Sequence, residues 1–302
     1  MSDIIQVRRE LSKKYILGKG LEIGALQNPL PISEKAQVIY IDKIDVPTAY
    51  NIHYQELKGQ KLANVDVLDD GEKLNVIPLG SQDFIIANHF LEHTQNPIKS
   101  IEVHLSRLKL GGILFYAVPN KNKTFDLNRP LTSFEHILQD YKNGPESSYD
   151  QHLQEWVELV DKITEPSLQK QRIEHIKKIN YSIHFHVWNE DTLLDFLEKT
   201  NKLLNYPYII EEHVKNVGNE NIAILCKSKT ELDKLQDYSI IDKKQLAINI
   251  LLEIYGERKD LQDAFPEATN GENLSRIFGW AKQYGIHCDP RLFRFSNYYE
   301  NS

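Results

Sequence analysis

The sequence contains few cysteines and no long apolar run. Its two cysteines, Cys226 and Cys288, are too few and too widely separated for a disulfide framework or a zinc motif. No apolar segment approaches the ~20 residues that span a bilayer, and the amino-terminal segment lacks the continuous apolar core of a secretory signal. We therefore expect a protein of the reducing cytoplasm, without a membrane span.

Basic residues are also fewer than acidic ones. The chain has 36 Lys and Arg residues against 43 Asp and Glu residues, which gives a formal net charge of −7. The basic residues occur as short, scattered doublets, so the sequence predicts no nucleic-acid partner. A length of 302 residues with 41% hydrophobic side chains suits one large domain, alone or with a small appendage.

Short apolar segments alternate with helical segments along the first part of the chain. Because the apolar segments are nearly continuous, they are typical of parallel strands that helices cover on both faces. The sequence predicts an α/β, Rossmann-like, seven-stranded, mostly parallel sheet with an antiparallel strand at one side. Strands are predicted near residues 18–24, 36–42, 64–69, 82–88, 113–118, 206–213 and 220–226, and helices over 4–15, 97–109 and 189–201.

Residues 120–180 interrupt this alternation with a polar, His- and Tyr-rich segment. Its pattern predicts three helices, over 133–142, 149–163 and 168–179, inserted before the last strands. An insertion of this length indicates a lid over an acceptor site. We place the main domain at 1–229 and a small C-terminal helical appendage at 230–302, with helices near 243–256 and 272–284.

Polar residues and glycines follow the predicted strands, where open α/β sheets bind ligands. Gly24 allows close backbone approach. Ala25 and Leu26 stand where further glycines of G-x-G-x-x-G would be, which makes a nicotinamide-dependent oxidoreductase the weaker rival. Asp42 can accept hydrogen bonds from both hydroxyls of a ribose, or it is a surface acid or helix cap. Asp70 can accept from an adenine amine, or Asp70-Gly71 is simple turn chemistry.

The order of these segments is more specific than any one of them. LEIG, YID, LDDG, DFIIANHFLEH and LKLGGILFYAVPN follow one another in the chain. This order resembles class I S-adenosylmethionine-dependent methyltransferases, and the missing second glycine of the first turn is its departure from that family. The resemblance implies S-adenosylmethionine as cofactor. The cofactor-binding residues that it implies, with their neighbours, are Glu22, Gly24, Ala25, Asp42, Asp70, Gly71 and Asn88.

A narrower resemblance concerns the acceptor. EIGALQNPLPI, FIIANHFLEHTQNPI, TFDLNRPLTSFEHILQDY and YSIHFHVW look like methyltransferases encoded among bacterial surface-polysaccharide genes, some of them fused to glycosyltransferases. The tail DAFPEATNGENLSRIFGWAKQYG is similar to helical pieces of such fusions. This implies a sugar, nucleotide-sugar or glycan hydroxyl as acceptor, and association with glycosyltransferases through the appendage. The alternatives are N- or O-methylation of another small metabolite and a catalytically silent cofactor-binding partner of glycan-synthesis enzymes.

A hydroxyl nucleophile benefits from a base, and histidine titrates nearest neutral pH. Candidate catalytic residues are His93, His184 and His89, each of which could instead make structural hydrogen bonds.

Candidate substrate ligands are Arg129, His136 and His186, with a loop salt bridge as the alternative for Arg129. An extended segment would point His184 and His186 to one face, which suits a polar substrate or a metal completed by His136 or His152. Because no close Cys/His spacing supports a metal, we predict none.

Overall fold

A computed structural model describes residues 2–53 and 58–229 of the chain. The strands are β1 (Gly18–Ile23), β2 (Ala36–Asp42), β3 (Val67–Leu68), β4 (Gln82–Asn88), β5 (Leu108–Pro119), β6 (Tyr208–Val217) and β7 (Glu220–Lys227). The helices are α1 (Ser2–Tyr15), α2 (Val46–Thr48), α3 (Pro97–Arg107), α4 (Phe134–Asn143), α5 (Glu146–Leu159), α6 (Pro166–Ile179) and α7 (Glu190–Leu203).

The strands form one seven-stranded sheet in the order β3-β2-β1-β4-β5-β7-β6. The first five strands pair in parallel, whereas β7 is antiparallel to both β5 and β6. The predicted fold class is therefore confirmed. Because the chain leaves β1 in one direction and later resumes at β4 beside it, a crevice is expected at the carboxyl ends of these two central strands.

Both faces of the sheet are apolar, as the continuous hydrophobic runs predict. Along β4, Phe84 and Ile86 pack in one apolar layer while Ile85 and Ala87 pack in the other. The first layer includes Leu11 of α1, and the second is covered by apolar residues of α3 and α7. Alternate side chains point to opposite faces of a strand, so this burial explains why the run is apolar at every position.

Several predicted boundaries were wrong, among them those of the third strand, the end of α3 and the start of β5. The third strand contains only Val67–Leu68, because ladder pairing with β2 begins at Ile41. Helix α3 ends at Arg107, whereas the prediction continued it to residue 109 and used the following glycines as its end. Those glycines lie inside β5, at an irregularity in its pairing with β4 where Gly111 has a φ of +78°. A strand bulge, which also favours glycine, therefore explains them.

The insertion is helical, as predicted, and consists of α4, α5 and α6. Residues of α5 and α6 bury a separate apolar cluster with Ile183, a residue of the segment that follows α6. That segment, 181–188, forms no regular strand and makes one bridge, between Asn120 and Trp188.

One compact unit of the chain ends at Ser228. The predicted appendage and its helices lie outside the described residues, and the boundary at 229 stays a prediction. No helix within 2–53 or 58–229 is both long and apolar enough to cross a membrane.

Candidate functional site

The turn after β1 leaves open space at the centre of the sheet edge. Gly24 has a φ of +62°, a conformation that glycine adopts without strain. A Cβ atom placed on it would meet no heavy atom within 4 Å. Its backbone N–H donates to the carbonyl of Ile41 at 2.9 Å, which ties the turn to the end of β2. A ligand can therefore approach this backbone closely.

Glu22 is a buried carboxyl group directly before this turn. Its Oε1 accepts a hydrogen bond from the backbone N–H of Leu30 at 2.9 Å, which holds the returning loop. Its Oε2 is buried and has no hydrogen-bond partner among the described residues. Burial raises the pKa of Glu22 to about 7.

Asp42 is the last residue of β2, as the ribose prediction requires. Its Oδ1 accepts from the backbone N–H of Ile44 at 3.2 Å. Asp42 and Ala25 both line a depression whose other walls include the apolar side chains of Ile44 and Val46. This combination of a carboxylate with an apolar wall suits a ribose that carries a flat heterocycle.

Asn88 ends β4 and is buried, yet neither the nitrogen nor the oxygen of its side-chain amide has a hydrogen-bond partner within the described part of the chain. Buried amides are normally paired, so this one is available to a bound ligand. Asp70 follows β3 in the chain. Its Oδ1 accepts a hydrogen bond from the backbone N–H of Glu72 at 3.0 Å, and its Oδ2 pairs with Lys73 at 3.1 Å.

Gly71 has a packing role. A Cβ on this residue would lie 2.5 Å from Cγ2 of Ile23 and 2.7 Å from Cε2 of Phe90. Its carbonyl accepts a hydrogen bond from the buried His104 at 2.9 Å. The missing side chain therefore lets the loop after β3 pack against β1, and cofactor contact by Gly71 stays a prediction.

The groups at this edge fit an adenosyl ligand. Asp42 offers a carboxylate for hydroxyl groups, Asn88 offers an unpartnered donor and acceptor, and Gly24 offers open space.

A second polar group, the Glu92 cluster, consists of Glu92, His93 and His184. One ligand atom from each lies within 4.8 Å of one from each of the others. The Glu92 carboxylate is buried, and neither of its oxygens has a hydrogen-bond partner in the described residues. Burial raises the pKa of Glu92. Such a carboxylate is poised for a ligand hydroxyl or a cation.

Hydrogen bonds determine which nitrogen of each imidazole in this cluster is available. Nδ1 of His93 donates to the carbonyl of Ile183 at 2.9 Å, and Nδ1 of His184 donates to Oδ2 of Asp126 at 2.7 Å. In the neutral form of each ring, Nε2 is therefore the unprotonated nitrogen. Burial lowers the pKa of His93 to about 3, so the His93 imidazole is neutral at neutral pH.

Arg129 supports this arrangement from the interior. It is 2% exposed, and its guanidinium donates to Glu155 at 2.8 Å and to Asp126 at 3.0 Å. It also donates to the backbone carbonyl of His184 at 2.8 Å. Burial alone would raise the pKa of Asp126, but His184 and Arg129 together lower it. These contacts match the loop salt bridge, which is the alternative to substrate binding by Arg129. Substrate binding by Arg129 stays a prediction.

His89 lies at the same sheet edge but contacts a different set of charges. Its Nε2 is 2.8 Å from Oε2 of Glu220. The Arg8 guanidinium donates to both oxygens of the same carboxylate, at 2.8 Å to Oε1 and 2.6 Å to Oε2. Burial would lower the pKa of His89, but Glu220 and Glu92 raise it above the ordinary value. This geometry favours a structural role for His89, and its catalytic role stays a prediction.

The expectation that His184 and His186 share one face was wrong. His184 packs against His93 and Phe125, whereas His186 packs against His136 and His152. The reason is that segment 181–188 lacks regular strand geometry: the backbone N–H groups of Phe185 and His186 both donate to the carbonyl of Glu92, at 2.7 and 3.3 Å.

Burial lowers the pKa of His152 to about 4 and that of His186 well below its usual range, so both imidazoles are neutral at neutral pH.

The structure places three acidic residues, not selected from the sequence, beside the candidate histidines: Glu92, Asp126 and Asp140. Glu92 was visible in the loop after β4 but was not chosen over the neighbouring histidines. Asp126 lies three residues before Arg129, and Asp140 lies four residues after His136, a spacing that places two residues on one helix face. The helical spacing was the one available signal for Asp140.

Comparisons with known proteins give distant similarities. A SAM-dependent methyltransferase from Aquifex aeolicus is 15% identical over 74% of this chain and 88% of that chain, with a TM-score of 0.40. A SAM-dependent methyltransferase from Methanosarcina mazei is 14% identical over 71% and 95%, with a TM-score of 0.37. A protein from Rhodobacter sphaeroides, provisionally described as a Zn-dependent alcohol dehydrogenase, is 14% identical over 70% and 85%, with a TM-score of 0.40. No protein-family model and no curated protein matches the chain.

Proposed function

We propose that this protein is an S-adenosylmethionine-dependent methyltransferase whose acceptor is a hydroxyl of a sugar, a nucleotide sugar or a glycan. The observation that supports it most is the unpartnered Asn88 amide at the carboxyl end of β4, beside the open turn at Gly24. The sheet order, with β7 antiparallel between β5 and β6, is the one that the class I resemblance implies.

The cofactor residues divide the binding task. When bound, S-adenosylmethionine supplies an electrophilic methyl group on a sulfonium. Asp42 accepts hydrogen bonds from the ribose hydroxyls, and Asn88 pairs its amide with polar atoms of the adenosyl group. Gly24 allows the ligand to approach the backbone. The loop after β4, which contains Glu92 and His93, follows Asn88 directly and would therefore carry the groups that orient the acceptor.

The Glu92 cluster is the acceptor site in this proposal. His184 Nε2 would take the proton that the acceptor hydroxyl loses when a bound S-adenosylmethionine supplies its methyl group to the hydroxyl oxygen. Asp126 holds the ring of His184 in the required tautomer, as a carboxylate does for a catalytic histidine. Glu92 accepts a hydrogen bond from a neighbouring hydroxyl, which orients the acceptor.

An exposed aromatic ring beside this cluster supports a sugar as acceptor. Phe125 is 56% exposed, although it lies in the short helical turn Phe125–Asn128 near buried groups. Its ring centroid is 4.9 Å from that of His184 and 5.6 Å from that of Trp156. An apolar ring next to hydrogen-bonding groups matches a sugar, whose C–H face is apolar and whose edge is polar.

Two measurements test the proposal. Isothermal titration calorimetry with S-adenosylmethionine should show saturable binding, and transfer of a labelled methyl group to a panel of nucleotide sugars and glycans should show turnover. Absence of binding would refute the enzyme assignment. Turnover on a non-sugar metabolite would favour the small-metabolite alternative, and binding without any turnover would favour the silent partner.

The association of residues 230–302 with glycosyltransferases stays a prediction, since those residues are outside the described part of the chain.

A further inference from the structure

A second histidine cluster lies in the helical insertion, apart from the proposed cofactor and acceptor groups. The His136 cluster consists of His136 and Asp140 on α4, His152 on α5, and His186 in the segment after α6. One ligand atom from each of the three histidines lies within 4.8 Å of one from each of the others. We propose that these histidines bind a Zn²⁺ ion, with Asp140 as the fourth ligand.

Two distances in this cluster match those between atoms that share one tetrahedral ion. Nε2 of His136 lies 3.0 Å from Nε2 of His152 and 3.3 Å from Oδ2 of Asp140. Zinc–nitrogen and zinc–oxygen bonds of about 2.0–2.2 Å place neighbouring ligand atoms about 3.3 Å apart in a tetrahedron. Two imidazole nitrogens in such contact otherwise require that one of them carry a proton.

Two buried atoms of this cluster, on His186 and Asp140, have no hydrogen-bond partner among the described residues. Nδ1 of His186 has no hydrogen-bond partner within the described residues, although the side chain is fully buried. Its Nε2 lies 3.4 Å from the carbonyl oxygen of Gln95, an arrangement that places the ring proton on Nε2 and leaves a lone pair on Nδ1. A metal ligand needs this lone pair.

Asp140 shows the same combination. It is 1% exposed, and its Oδ2 has no hydrogen-bond partner in the part of the chain that the structure describes. Its other oxygen, Oδ1, accepts from the hydroxyl of Ser148 at 2.7 Å. One oxygen is thus held in place while the other is available, which is how ligating carboxylates are oriented in metal sites.

The donor set favours zinc over magnesium or calcium. Imidazole nitrogen suits Zn²⁺ and the neighbouring transition metals, whereas Mg²⁺ and Ca²⁺ require mainly oxygen ligands. With Asp140 as the fourth ligand the site would be closed, as structural zinc sites are. The ion would connect α4, α5 and segment 181–188. Because that segment also contains His184 of the Glu92 cluster, the role of the ion would be to hold the insertion in place beside that cluster.

The Glu92 cluster is the alternative location for an ion. There Asp126 and the carbonyl of Ile183 orient the two imidazoles, and Glu92 supplies a carboxylate. We favour the His136 cluster because it brings three imidazoles together, with Nε2 of His136 3.0 Å from Nε2 of His152 and 3.3 Å from Oδ2 of Asp140. The two locations predict opposite effects of substitutions on zinc content.

The test is metal analysis of the full-length protein, purified without a polyhistidine tag. Mass-spectrometric elemental analysis should find about one zinc ion per chain, and protein stripped with a chelator should rebind Zn²⁺ with a rise in melting temperature. Co²⁺ should give the intense visible absorption of a tetrahedral site. His136→Asn and His152→Asn should abolish stoichiometric binding, whereas His175→Asn, an exposed histidine of α6, and Glu92→Gln should retain it.

The wild-type titration decides the matter even if a variant fails to fold. Wild-type chain that contains no zinc and takes up none at ~10 µM would overturn the site. Loss of zinc in Glu92→Gln together with its retention in a folded His136→Asn would also overturn it and would place the ion in the Glu92 cluster. Neither readout depends on methyl transfer, so the site can fail while the proposed function stands.

Discussion

Oδ2 of Asp126 accepts a hydrogen bond from Nδ1 of His184 at 2.7 Å, across 58 residues of sequence. Both side chains are buried, and Arg129 binds the second oxygen of the same carboxylate. The pair therefore holds one tautomer of His184 and leaves Nε2 as its acceptor nitrogen.

Asp126→Asn should lower kcat by about 10²-fold or more, with a small effect on KM, because the amide can hold the wrong tautomer of His184. Steady-state methyl transfer under saturating cofactor measures both constants. Glu155→Gln is the matched control, since it also removes a carboxylate that accepts from Arg129 but does not contact His184. Equal losses in both variants would show that Asp126 acts only by holding Arg129.

Asp42→Asn should weaken S-adenosylmethionine binding by about tenfold or more, because hydrogen bonds to a charged acceptor contribute about 1.5–3 kcal/mol. Isothermal titration gives the affinity. Asp83→Asn makes the same chemical change at the opposite end of the sheet, where Asp83 pairs with the exposed Lys109 at 2.6 Å. The ribose assignment fails if both variants bind the cofactor equally well.

Gly71→Ala and Gly24→Ala should separate packing from ligand access. The Gly71 substitution should cost about 1–3 kcal/mol of unfolding free energy, since the new methyl group overlaps Ile23 and Phe90. The Gly24 substitution meets open space but is strained by its positive φ, so it should cost about 1 kcal/mol and weaken cofactor binding. Urea denaturation and titration calorimetry on the same samples distinguish the two effects.

Glu22→Gln should change how stability depends on pH. Burial raises the folded-state pKa of Glu22 from 4.5 to about 7. Because the fold favours the protonated form, the contribution of Glu22 is fully present below pH 4.5 and is lost as the pH rises through about 7. The variant, which stays neutral, should gain stability relative to wild type over that window. Denaturation curves at several pH values would contradict this if the difference were constant.

The Arg8–Glu220 pair should stabilise the fold far more than an exposed pair on the same helix. Arg8→Met should cost about 3–5 kcal/mol, because it removes two hydrogen bonds and the guanidinium charge from the buried Glu220 carboxylate. Lys14→Met, which breaks the exposed pair with Glu212, is the control and should change the unfolding free energy much less. Similar losses in chemical denaturation would mean that burial of the pair is unimportant.

Local patterns predicted most of the elements and failed at their ends. Continuous apolar runs identified β1, β4 and β5 because both faces of these strands are covered. The end of α3 and the start of β5 were misplaced because the glycines that end a helix also permit a strand bulge. Which of the two forms depends on pairing with β4, and that pairing is not encoded in the local sequence.

The grouping of Gly24, Asp42 and Asn88 at one sheet edge was predictable, because parallel strands place their carboxyl ends at the same edge. No such rule specifies which residues of the helical insertion lie near one another. His184 and His186 were assigned to one face by strand alternation, yet irregular backbone and two hydrogen bonds to one carbonyl separate them into two clusters. Contacts between His136 and His152, or between Asp126 and His184, arise from how helices pack over long sequence distances, and no periodicity within a short segment specifies that packing.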